Sequence, residues 1–323
     1  MSVWSRLSRS LVRKPPLSPP TPKQKPSTIT VHGDITRRDE FGWMQRPENE
    51  GELEAYLRAE TAYALAEMRS TRRLQSRLVR EMEQACYADR VPPPVETTNR
   101  GYSYYVRPGG HGSGETLYCR RKLPDGSEQV LVDSGKLERD EGLSVRHAAV
   151  SPDNRLIACL TNSVHNEAGD ESSQLQIYSL PMDGSRVSNI ELVDAVDDVI
   201  NFVWSPTSRD VYYTAINAVL RADRVYVHRI ATRSDLEEGP RDLLVYHEPD
   251  EQAFLDVSKT KDDTYIAIYS STLDSNQVHV MPAAIDLFEL AKRGKPPPLQ
   301  LVKARQPGVE YFIDHIKQIA AII

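Results

Sequence analysis

Cysteine is scarce in this sequence. The three present, Cys86, Cys119 and Cys159, lie far apart and form no CxxC pair, which excludes a disulfide framework and a zinc knuckle and points to a reducing compartment. Long apolar runs are missing too: none approaches the roughly 18 residues that a membrane-crossing helix needs. Nor is there a surplus of base, with 40 Lys and Arg against 46 Asp and Glu and a net charge of −6. Neutralising nucleic-acid phosphates requires the opposite balance, so neither a nucleic acid nor a membrane is expected as partner. No Gly-rich phosphate loop and no GxGxxG occurs, and the eight histidines supply no HxxxH or HExxH pair, which leaves no nucleotide-binding or zinc-peptidase motif. With 39% apolar and 27% charged residues, the chain is neither a collagen nor a coiled coil nor wholly disordered.

Acid is absent from the first 33 residues, which carry Arg6, Arg9, Arg13, Lys14, Lys23 and Lys25 among many Ser and Pro. Val3, Trp4, Leu7 and Leu11 fall on one side of a helix. Arg-rich, Ser-rich and acid-poor is the character of an organellar transit peptide; the other reading is a disordered basic tail running into the linker PPLSPPTPKQKP. The expected location is therefore cytoplasmic, or mitochondrial or plastid if the tail is a transit peptide. We assign residues 1–26 to this tail.

Residues 27–94 are expected to form a helical segment, with two helices over 49–88. Asn49 and Glu52 offer an N-cap and a capping box, and Leu53, Leu57, Ala64 and Met68 then recur at helical spacing beside Tyr56 and Tyr63. Ser70 or Thr71 can cap a second helix, with Leu74, Leu78, Met82 and Ala85 as its apolar face. Pro92–Pro94 end helical structure.

Beyond residue 95 the vocabulary changes to short segments rich in Tyr, Val and Ile between turns, with twelve of the 15 tyrosines after residue 100. This is strand composition. A unit repeats: VRHAAVSPDNRLIACL (145–160) returns as VINFVWSPTSRDVYYT (199–214) and as QAFLDVSKTKDDTYIAIY (252–269). Ser151, Ser205 and Ser258 align as anchors, an earlier copy starts at Asn99, and a later one at Gly308. A third strand follows each anchor hairpin at 116–121, 174–179, 225–230 and 277–282, and a fourth at 129–133, 189–194, 242–246 and 299–302. Two connections carry hairpin-type Asp-Gly, at Asp125-Gly126 and Asp183-Gly184. Four strands per unit of about 53 residues is the signature of a β-propeller, with a period longer than the roughly 40–45 residues of WD40 blades. The fold class expected is mainly β: an incomplete propeller over 95–315, preceded by the two-helix segment. The Ser-Pro-Asp anchor is read as a turn without chemistry.

The segments PSTITVHGDITRRDEFGWMQ (26–45), LEAYLRAETAYALAEM (53–68), RGYSYYVR (100–107), LYCRRK (117–122) and VSPDNRLIA (150–158) resemble the prolyl oligopeptidase family of serine peptidases, nearest to its oligopeptidase B (protease II) branch. The resemblance runs from about residue 26 to 315. It implies a helical segment, a seven-bladed propeller and a C-terminal α/β-hydrolase domain, with the propeller limiting access to short peptides and cleavage after Lys or Arg.

The sequence departs from that pattern where the chemistry belongs. A nucleophilic serine of this class sits in GxSxG, with Asp and His later in the chain, and no serine here has Gly at both −2 and +2. No catalytic, cofactor-binding or metal residue is assigned, no cofactor is implied, and the chain alone is expected to be inert. Its partners would be short peptides once a catalytic domain is present, that domain being either continuous or separately encoded. The different-class alternative is a non-catalytic propeller scaffold that binds proteins or peptides. Residues 316–323 are expected to be an aberrant tail from a frameshift, retained intron or truncated gene, or else a genuine short terminal strand or helix. Other candidates weigh lightly. His111-Gly112-Ser113-Gly114 reads as a turn, not an oxyanion loop; Asp194/Asp197/Asp198 and Asp262/Asp263 as solvated turn carboxylates; His147, His228 and His279 as packed or edge residues. Trp204 reads as core and Arg120-Arg121-Lys122 as a solvated strand face.

Overall fold

The computed structural model describes residues 18–32, 35–87, 97–99, 101–109, 115–124, 126–164, 173–180, 191–231 and 240–316. The chain divides into two compact units, Met1–Pro92 and Pro93–Ile323. Among the described residues no helix is long and apolar enough to cross a membrane.

In the first unit, Ser27–His32 (β1) pairs antiparallel with Ile35–Asp39 (β2). Trp43, in the 3-10 turn that follows, is buried; its Nε1 donates to the Lys23 carbonyl at 2.8 Å and the Lys25 ammonium lies 4.6 Å from its ring centre. Glu50–Glu67 (α1) and Arg72–Tyr87 (α2) are the two expected helices. Their expected caps are not made. Asn49 occupies the N-cap position of α1 without a side-chain bond to the helix. Its amide oxygen instead accepts from Lys25, and Glu52 holds both Lys23 and Lys25: two ammonium groups outcompete a lone backbone N–H for a carboxylate. Thr71 donates to the Met68 carbonyl inside the turn joining the helices rather than capping α2. The expected apolar face of α1 contains no buried residue.

The second unit consists of four-stranded antiparallel meanders. Blade one is Thr97–Asn99 (β3), Tyr102–Pro108 (β4), Thr116–Lys122 (β5) and Glu128–Asp133 (β6). A short helix, Ser134–Glu141 (α3), follows; the Asp133 carboxylate accepts from the Lys136 N–H at its start, and Gly142 ends it at φ 66°, a left-handed cap that glycine adopts without a Cβ clash. Blade two is Leu143–Val150 (β7), Leu156–Ser163 (β8), Gln174–Ser179 (β9) and Leu192–Val196 (β10). Blade three is Val199–Trp204 (β11), Asp210–Ile216 (β12), Ala222–Arg229 (β13) and Asp242–His247 (β14). Blade four is Phe254–Lys259 (β15), Tyr265–Ser271 (β16), Asn276–Pro282 (β17) and Gln300–Lys303 (β18), with Leu287–Lys292 (α4) between the last two.

Each core lies between neighbouring blades, and strand periodicity explains why. Alternate residues of a strand face opposite sides, so β12 sends Val211 and Tyr213 into the core shared with blade two and Tyr212 into the core shared with blade four. Likewise β8 sends Ala158 and Leu160 toward blade three and Ile157 and Cys159 toward blade one. Strands buried on both faces cannot alternate with polar residues, hence the runs LIACL, DVYYT and YIAIY.

The anchor hairpins follow one rule. A hydroxyl residue opens the turn, bonds a side chain two residues on, and the next residue takes positive φ: Ser151, Asp153 and Asn154 (φ 66°); Ser205, Thr207 and Ser208 (φ 61°); Thr260, Asp262 and Asp263 (φ 57°). The third anchor is therefore Thr260. Ser258, aligned with the anchors by the repeat, lies within β15 instead. Segment 310–316 forms no strand; it lies along blade four, where Tyr311 exchanges bonds with the Asn276 side chain in both directions and Asp314 accepts from the Lys261 N–H. The Asp183-Gly184 turn, Asp125, Pro92–Pro94 and residues 317–323 lie outside the described residues, as does the 1–17 stretch.

Candidate functional site

Three polar arrangements in the propeller unit concentrate charge or hydroxyls, and each grows from strand ends or turns. The first joins blades two and three. His228 on β13 is buried, with Nε2 3.1 Å from Asp194 Oδ2 on β10 and Nδ1 3.0 Å from Asp242 Oδ1 on β14. Asp194 also accepts from the Ala231 N–H at 2.9 Å and pairs with Arg241. Burial alone would raise the Asp242 carboxyl, but its hydrogen bonds with His228 and Tyr213 hold it below the usual carboxylate value. Both ring nitrogens thus face carboxylates, and among the described residues neither bonds a hydroxyl or thiol. An acyl-transfer relay needs a hydroxyl or thiol on one nitrogen, so this Asp-His-Asp set works as a joint between blades.

The second lies where the connection from blade three to blade four meets blade four. Glu248 is buried, accepts from Ser270 Oγ, and stands 3.6 Å from Arg305, which also reaches Asp250 at 2.6 Å. Arg305 additionally donates to the Ser270 carbonyl. The third is a cleft of about 230 Å³ between the anchor turns of blades two and three, rimmed by Arg155, Arg209 and Arg229.

A larger cleft of about 360 Å³ lies between blades one and two, lined chiefly by Tyr104, Tyr105, Tyr118, Cys119, Leu131 and Ile157. Burial pushes the Cys119 thiol up to about 11 and the Cys159 thiol up to about 12, so both stay protonated at neutral pH and neither is an activated nucleophile. Among the described residues no group of three or more His, Cys, Asp or Glu is placed to hold a metal ion.

Several sequence readings are corrected here. Asp194 is not a solvated turn carboxylate: it is buried and committed to His228, Arg241 and a backbone N–H. Asp262 is held by Thr260, Thr264 and His315 as the third residue of its turn. Asp197 and Asp263 are exposed as expected. Arg120 is fully buried, its guanidinium 5.0 Å from the Tyr102 ring centre and its Nε donating to Gln129, so it is no solvated strand face. Trp204 is core, and its Nε1 donates to the Ala149 carbonyl of the neighbouring blade at 2.9 Å. His111–Gly114 lie outside the described residues. The His228 joint and the Glu248–Arg305 pair were missed by sequence reasoning; for His228 the available signal was a polar residue at a core-facing strand position in the run VYVHRI, while Glu248 and Arg305 lie just past the ends of β14 and β18 and carried none.

Comparison with known proteins gives this geometry its context. Residues 19–319 match the family described as prolyl oligopeptidase, N-terminal beta-propeller domain. Dipeptidyl aminopeptidase BI of Pseudoxanthomonas mexicana is 26% identical over 93% of this chain, and Protease 2 of Moraxella lacunata is 26% identical over 92%; the chain spans 40% of the length of each. Among solved structures, oligopeptidase B from Leishmania major matches with a TM-score of 0.67 at 19% identity, covering 92% of this chain and 41% of that one. At that identity the structural match speaks for the fold. With nearly the whole chain matched, this protein belongs to the prolyl oligopeptidase family and carries the fold of its N-terminal β-propeller domain.

Proposed function

We propose that this chain is the propeller-bearing part of an oligopeptidase B-like serine peptidase, which with its hydrolase domain cleaves short peptides after Lys or Arg. The propeller in that enzyme acts as a size filter and as one wall of the substrate cavity. The observation that carries this reading is the family match over residues 19–319 combined with a span of 40% of the relatives' length. Among the described residues no Ser-His-Asp set is assembled: the buried His228 has an aspartate carboxylate at each ring nitrogen.

The test is immunoprecipitation from the native cells with an antibody raised against residues 143–303. The captured material is sized and assayed on an Arg-linked fluorogenic dipeptide, with and without a serine-directed phosphonate. A captured polypeptide or complex that hydrolyses the reporter and is silenced by the phosphonate supports the reading. Capture of a 36.5 kDa species alone, without hydrolysis, overturns it in favour of a non-catalytic scaffold. The purified chain by itself is expected to leave the reporter intact.

A further inference from the structure

The cleft between the anchor turns of blades two and three has a composition the peptidase reading does not use. The two turns place an arginine at the same position: Arg155 follows Asn154 and Arg209 follows Ser208, each immediately after the positive-φ residue. Both arginines line the cleft, as do the apolar Leu156 and the buried Ile230, which form its apolar part. Arg229 closes the third side.

Charge accounting separates these three arginines. Arg229 is committed, with Nε 2.8 Å from Asp210 and a terminal nitrogen 2.9 Å from Asp286, and it lies over the Phe288 ring. Asp153 also lines the cleft; its Oδ1 is taken up within the turn, accepting from Ser151 Oγ at 2.6 Å and from the Arg155 N–H at 3.1 Å. Arg155 forms no side-chain ion pair among the described residues, and Arg209 reaches only Asp286, at 4.0 Å with its side chain 61% exposed, a separation and exposure that contribute little. Apart from that long Arg209–Asp286 approach, neither guanidinium has an ion-pair partner among the described residues, and both share the cleft with Leu156 and Ile230. A planar guanidinium fork suits an oxyanion with two coplanar oxygens, and the apolar part asks for hydrocarbon next to that anion. A bare phosphate satisfies the first demand only.

The geometry points to a binding site for the C-terminal carboxylate of a peptide ending in an apolar residue, with Arg155 and Arg209 taking the carboxylate and Leu156 and Ile230 receiving the side chain. The site is independent of the peptidase reading and lies on the turn-bearing rim of the propeller.

Ligand-observed NMR titrations of the full chain test it, with N-acetyl-leucine, N-acetyl-leucinamide, N-acetyl-glycine and inorganic phosphate as probes. Saturable binding of N-acetyl-leucine is expected, at least tenfold tighter than the amide and clearly tighter than N-acetyl-glycine. Arg155→Gln and Arg209→Gln, both exposed side chains whose loss leaves the circular dichroism unchanged, are each expected to weaken it tenfold or more. Equal binding of acid and amide, or binding indifferent to both substitutions, overturns the proposal. Tighter binding of phosphate than of N-acetyl-leucine overturns it as well and assigns the arginines to a phosphate. Absence of saturable binding at 20 mM probe (about 2 kcal/mol of affinity by RT ln Kd) also overturns it.

Discussion

In α1, Leu57 and Leu65 are 52% and 58% exposed, whereas in β12 Val211 and Tyr212 are 0% and 1% exposed. The two regions have comparable apolar content in these segments and opposite outcomes. A helix buries one stripe and needs another element to receive it. In the first unit the ordered polar contacts gather instead around Trp43 and the lysines that pin Lys23–Lys25 to Glu52. A blade strand presents both faces to neighbours of the same kind, so each added repeat completes the burial of the one before. Apolar residues are therefore costly to change in the blades and cheap in the helices.

Four measurements break or sharpen that contrast. Trp204→Ala removes a buried indole and its bond to Ala149 across a blade boundary, and should cost about 3–5 kcal/mol in denaturant unfolding; a loss under 1 kcal/mol would mean the joint between blades two and three is not packed as described. Arg305→Gln leaves Glu248 buried beside Ser270 without its cation. Removing one partner of such a pair costs roughly 3 kcal/mol, and recovery in the double variant Glu248→Gln/Arg305→Gln would confirm that the stranded charge is the cause.

The third measurement is a pH series. Burial holds the His279 imidazole below its usual value, against Glu248, which works in the opposite direction, and burial lowers His147 as well. A group with a folded pKa below the roughly 6.5 of unfolded His is protonated first in the unfolded chain. Its contribution is complete above that pH and is lost as the pH falls toward the folded value. Tm should drop between pH 7.5 and 5.5, and less steeply in His279→Gln; parallel slopes would remove His279 from the account. The smallest effect belongs to the helices: Leu78→Ala, at a position 44% exposed, should change stability by about 0.5 kcal/mol or less. A core-sized loss would show that this stripe is covered in solution.

Much of the propeller was legible in the residues. The strand runs, their order of four and the repeat length could be read because blade strands need β-branched and aromatic residues on both faces, and turns need residues that tolerate unusual φ. The error at Ser258 has a physical origin: a serine falls at the repeat spacing, but the turn is defined by a hydroxyl, an acceptor two residues on and positive φ after it, which Thr260, Asp262 and Asp263 supply. Burial of charge was not legible. Nothing local to Asp194 announces that His228, 34 residues away, will take its carboxylate; nor does Arg120 announce the Tyr102 ring. Helix caps failed for a related reason, since Asn49 and Glu52 meet lysines from before the first strand.

Several contacts between neighbouring repeats share a spacing. Asn99 reaches Asn154 and Ser208 reaches Asp153 across 55 residues, Asn201 reaches Asp256 across 55, Arg305 reaches Asp250 across 55, and Asp314 reaches Lys261 across 53. Each blade is thereby stitched at corresponding positions to its immediate neighbour. A gene that gains or loses one blade-length of coding sequence keeps the remaining stitches in register, whereas a shift of ten residues breaks them. The whole blade, rather than the strand or the turn, is consequently the unit in which such a chain is lengthened or shortened with these contacts kept.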